Sequence, residues 1–157
     1  VMYFVLIFAI TLILQIGFLP GLFPTHAIPE LFLPVIIAIA IMCEKKEASI
    51  FALAAGLVLD LYFIKGFGAR TLIFFALAHF LSSFKESFSS RSGFVVFTLT
   101  LLAGTLYQFL YFIIINAVGE NLEFQVLLNS IFSLEIPIMM LYSIFASRFT
   151  KIYLARR

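Results

Sequence analysis

The side chains able to do chemistry in this chain are few, and they stand apart in long apolar stretches. Asp60 is the most ordered of them. It closes the series Ala48, Ala52, Gly56, Asp60, and four-residue spacing puts all four on one ridge of a helix. In a membrane, a ridge of small residues lets another helix approach closely, because association there depends on packing. An isolated carboxylate at membrane depth is costly, so Asp60 should be paired, protonated or open to a water-filled cavity. Lys65 and Arg70 follow, with Gly66 and Gly68 in a tight basic turn. One reading is a salt bridge that fastens this turn. The other is that Asp60 binds a partner helix or a ligand.

Glu135 stands about midway along the last apolar run, two residues before Pro137. A proline inside a helix frees the carbonyl four residues back and kinks the helix. A carboxylate beside a kink at membrane depth is functional by default, unless it is protonated or hydrogen-bonded to Gln108 or another polar group. Gln15, Gln108 and Asn116 read as interhelical links worth about 0.6 kcal/mol each. His79 is expected to be packed and hydrogen-bonded. His26 and Glu30 are too few and too loosely spaced for a metal site. No paired carboxylates, Ser/His/Asp or Cys/His set, or phosphate-binding glycine loop is present, and Gly66-Phe67-Gly68 alone is weak. No catalytic residue, cofactor or metal is expected; an intramembrane enzyme would need Asp60 or His79 brought beside Glu135.

Composition sets the medium. Of 157 residues, 64% are apolar and 11% charged, and the mean hydropathy is +1.17. A soluble domain is nearer half apolar and a quarter charged. The apolar runs are continuous rather than alternating, so helices and not a barrel should satisfy the backbone in lipid. A net charge of +2 gives no reason to expect nucleic acid. The single cysteine, Cys43, allows no internal disulfide.

Six apolar spans follow, at about 1–19, 29–43, 48–64, 71–84, 93–118 and 124–147. The first has no Lys or Arg ahead of it and exceeds a signal core, so it reads as a retained span. The second begins at Pro29 and Glu30 and is short. At about 1.5 Å per residue it falls below the roughly 30 Å hydrocarbon core, so it must thin the bilayer, break, or sit inside a bundle. Six spans place both termini on one side with Lys45, Lys46, Lys85, Arg91, Arg148, Lys151, Arg156 and Arg157, leaving only Lys65 and Arg70 opposite. That bias predicts cytoplasmic termini. The basic turn at Lys45 and Lys46 and the tail from Arg148 would meet anionic lipid or partner proteins.

The ordered features also resemble a family, the rod shape-determining membrane protein MreD of bacteria. Gln15 ends the first span with Pro20 soon after, and Pro29-Glu30-Leu31 opens the second. The charged turn, Gly56-Leu57-Val58-Leu59-Asp60-Leu61, Gly68, Pro137 and the basic tail complete the pattern. The chain departs from it at Glu30, Gly66 and Arg70, and Glu135 is not part of the pattern. The resemblance implies an all-α integral membrane protein of six transmembrane helices with both termini inside. It implies a fold like that of the S components of energy-coupling factor transporters. It also implies a non-enzymatic scaffold of the cell-elongation complex whose partner is MreC and, through it, MreB, RodA and its penicillin-binding transpeptidase. The competing expectation is a small-molecule-binding subunit of a transporter, with Glu135 facing a ligand cavity.

Overall fold

The computed structural model describes residues 2–23, 28–63, 68–87, 93–119, 121, 123–132 and 134–156. Lys65, Gly66, His26, Arg91, Glu120 and Arg157 lie outside the described residues. Among those described, all regular structure is helical: α1 (Met2–Leu22), α2 (Phe32–Met42), α3 (Lys45–Tyr62), α4 (Ala69–Ser83), α5 (Gly93–Ala117), α6 (Phe124–Phe132) and α7 (Glu135–Ala155).

The chain is built around α2. All eleven of its residues, Phe32 to Met42, are buried, and α3, α4, α5 and α7 pack against it. A helix apolar on every side belongs in a core. Eleven residues rise only about 16 Å, so of the three outcomes open to a short second span, this one sits inside a bundle. The helix is shorter than the 29–43 run because Pro29 and Glu30 precede it without helical structure and Cys43 is extended. Pro34 falls in the first turn, where its missing N–H leaves no bond unmade.

The other helices have local reasons for their ends. At the start of α3, Glu44 and Glu47 form a capping box, each carboxylate accepting from the other end of the turn. The charged tetrad therefore belongs to the helix, which begins at Lys45 rather than Ala48. In α1 the six residues Ile13–Phe18 are wound as a π-type segment. Pro20 follows, lacking the N–H that would reach the Ile16 carbonyl, and the wider turns accommodate its ring.

The last span is corrected. It is two helices, α6 and α7, rather than one run from 124 to 147. Glu135 is the first residue of α7 and Pro137 the third, so the proline starts a helix and kinks none. A proline is tolerated there because first-turn amides have no intrahelical acceptor. His79 is also corrected: it is exposed on the outer face of α4 beside Phe75.

Side-chain contacts show which helix ends meet. Tyr3 stacks on Tyr153 at 4.3 Å and shares a 2.7 Å hydrogen bond with Thr150, joining the start of α1 to the end of α7. Lys45 Nζ donates to Ser83 Oγ at 2.8 Å and Lys85 Nζ to the Cys43 carbonyl at 3.4 Å, joining the start of α3 to the end of α4. Phe4 meets Phe51, and Gly93 faces Ser147. The successive legs thus alternate in direction, and Lys45, Lys85, Arg148 and Lys151 share one end. By length and composition, Met2–Leu22 and Gly93–Ala117 suffice to cross a membrane; Phe32–Met42 and Ala69–Ser83 are apolar but shorter.

Candidate functional site

At the end opposite those cations the bundle buries a connected set of polar side chains. It begins with helix ends that need partners. The first amides of a helix have no acceptor within it, and at this end both α2 and α4 begin without a capping side chain of their own. Each borrows one. Gln15, fully buried in the π-type segment, accepts from Leu31 N through Oε1 at 2.6 Å. Asp60, fully buried on α3, accepts from Arg70 N at 3.3 Å, Thr71 N at 3.0 Å and Thr71 Oγ1 at 2.7 Å. A carboxylate at a helix N-terminus is favoured by the dipole as well as by these bonds.

Between the two caps lies a buried ion pair. Arg70 Nε donates to Glu30 Oε1 at 2.9 Å, with the side chains 10% and 7% exposed. Tyr107 OH donates to the same oxygen at 3.0 Å, and Gln15 Nε2 to Glu30 Oε2 at 3.2 Å. The Arg70 guanidinium carbon stands 4.8 Å from the Phe63 ring centre and 4.9 Å from that of Tyr111, a cation between two aromatic faces. Its Nη1 is 4.0 Å from Asp60 Oδ1. Glu30 therefore ties together α1, the start of α2, the start of α4 and the middle of α5.

This changes the roles expected of several residues. Asp60 acts on Arg70 mainly through its backbone, as a cap, while the arginine side chain belongs chiefly to Glu30. Gly68 adopts φ +90° at the position before α4, a left-handed conformation that glycine takes without strain. The ridge Ala48, Ala52, Gly56 and Asp60 is buried throughout. At Gly56 it meets α4 so closely that an added Cβ would stand 2.8 Å from Thr71 N and 3.0 Å from its Oγ1. The ridge is an internal seam. Pro29 is buried beside Glu30.

A second polar contact joins α5 to the start of α7. Glu135 is 3% exposed, and Gln108 Nε2 donates to its Oε2. Around it α5 and α7 pack through small residues, with Gly104 against Met139 and Ile136. Neither Asp60 nor His79 is brought to Glu135. Among the described residues, no three His, Cys, Asp or Glu side chains gather as metal ligands.

Sequence reasoning missed Tyr107, Tyr111, Thr71 and the pairing of Glu30 with Arg70. A signal for Tyr107 exists: it continues the α5 face Val96, Thr100, Ala103, Gly104, whose small members mark the inward side.

The geometry defines an apolar helical bundle whose buried polar groups link its own segments. The family model for the rod shape-determining protein MreD matches residues 1–154, and the chain belongs to that family. The family acts in rod shape determination and is membrane-associated. No curated protein and no solved structure matches.

Proposed function

We propose that the chain is a non-enzymatic membrane scaffold of the bacterial cell-elongation complex. It crosses the inner membrane six times with both termini cytoplasmic, in an arrangement like that of energy-coupling factor S components. It binds MreC and through it acts with MreB, RodA and the penicillin-binding transpeptidase that serves RodA. Family membership over nearly the whole chain carries this reading. The alternating legs and the gathering of cations at one end support it, since such a bias orients a membrane protein.

The outer surface fits the same role. On α3 the stripe Ile50, Leu53, Leu57 and Leu61 faces away from the bundle, and on the inner side Asp60, Arg70, Glu30, Gln15 and Tyr107 form one connected polar set. The transporter reading needs Glu135 to meet a ligand. That carboxylate is instead buried and takes a bond from Gln108. The ridge at Ala48, Ala52 and Gly56 supports assembly indirectly, by holding α3 on α4 so that the outer stripe keeps its shape.

The test is genetic. Depleting the chain from a rod-shaped host should give rounded cells, and re-expression should restore rods. Normal rods after depletion, or rounding that wild-type chain cannot reverse, would overturn the assignment.

A further inference from the structure

Between the start of α5 and the second half of α7 the bundle leaves a groove of about 410 Å³. Gly93, Phe94, Phe97, Ile144, Ser147, Arg148 and Lys151 line it. The apolar wall faces outward: Phe94 is 77% exposed and Ile144 42%. Ser147 has its hydroxyl turned back onto the Ile144 carbonyl at 3.0 Å, so the groove presents little polarity of its own. Arg148 and Lys151 are three residues apart, and hence on one face of α7. Both are exposed, and among the described residues neither has a carboxylate partner. The positive end of the α5 dipole lies at the same place.

An apolar groove open to the outside of a membrane bundle, with two unneutralised cations at the cation-rich end, has a defined chemical complement. We propose that it holds one anionic phospholipid. The phosphate sits between Arg148 and Lys151, and an acyl chain runs along Phe94, Phe97 and Ile144. Basic pockets between helices on the cytoplasmic side suit such headgroups. A partner helix would fill the apolar wall but would leave both cations without counter-charge. A free phosphate would leave the wall uncovered.

Native mass spectrometry of the full chain in mild detergent tests this, with phosphatidylglycerol, phosphatidylcholine or inorganic phosphate added. Two cations near a phosphate should favour phosphatidylglycerol over phosphatidylcholine by roughly thirtyfold. The double variant R148Q/K151Q should lose that preference, Arg148→Lys should keep it, and K45Q/K46Q at the same end should keep it. Excess inorganic phosphate should leave the lipid bound. Equal retention of the two lipids, a preference that survives R148Q/K151Q, or one lost equally in K45Q/K46Q would overturn the proposal. Displacement by inorganic phosphate would assign the site to a free anion. A dimer that excludes the lipid would assign the groove to a second copy.

Discussion

Glu30→Gln is the most informative single change in this protein. The carboxylate accepts from Arg70, Tyr107 and Gln15, and the substitution removes the charge while nearly preserving its shape. Arg70, 10% exposed, would then be a buried cation whose nearest remaining carboxylate oxygen is 4.0 Å away on Asp60. Breaking a buried pair from one side typically costs about 3–5 kcal/mol, because the other charge stays desolvated. The amide adds N–H donors where Gln15 or Arg70 already donates, so the substitution gains no bond to offset that loss. Against a total stability of about 5–15 kcal/mol, the loss is large. Replacing both partners, as in E30L/R70M, removes the stranded charge, and such swaps are often close to neutral. The double variant should therefore be more stable than the Glu30→Gln single variant. Equilibrium unfolding of the purified chain in mixed micelles measures each of these. A Glu30→Gln cost below about 0.5 kcal/mol, the range of ordinary surface changes, would refute the reasoning. So would a double whose cost equals the sum of the Glu30→Leu and Arg70→Met singles, which would show the two side chains to be uncoupled.

Three further changes follow from the same geometry. Gly56→Ala puts a methyl group against Thr71 backbone, which cannot rotate aside, so overpacking should cost about 1–3 kcal/mol and lower accumulation in the membrane; unchanged unfolding would mean that α3 and α4 do not meet so closely there. Asp60→Ala removes the acceptor of two amides and a hydroxyl in the first turn of α4 and should cost about 2 kcal/mol, seen as weaker accumulation and less complex on co-purification; wild-type levels of both would contradict the capping role. Glu135→Gln should be tolerated better than Glu135→Ala in the same unfolding assay, because the amide oxygen still accepts from Gln108; equal loss in both would show that the charge itself is used.

Some of this was legible before the structure. The long apolar runs that became α1 and α5 have nearly the bounds read from sequence, because hydropathy over that length has few other meanings. The four-residue series ending at Asp60 was enough to place that residue inward, since helical spacing is local geometry. The Glu30–Arg70 pair was not legible. It joins residues separated by 40 positions, and no local rule brings the start of α2 to the start of α4. The split of the last span was hidden for a different reason. No glycine or proline stands between Phe132 and Glu135 to mark a break, and Pro137 fits a kink and a first turn equally well until the helix start is known. The exposure of His79 was hidden because a polar side chain inside an apolar run does not by itself mark the inward face. In a membrane protein the outer face is itself an apolar environment, and a histidine near a helix end can sit there.

The measurement that bears most directly on the scaffold assignment is a mild-detergent pull-down of the full chain from its native membrane, with mass spectrometry of the eluate. The account predicts recovery of MreC together with wall-synthesis enzymes, and a reduced yield of all of them from the Asp60→Ala chain. Recovery of transporter ATPases in their place, or of a bound small molecule with no protein partner, would contradict it.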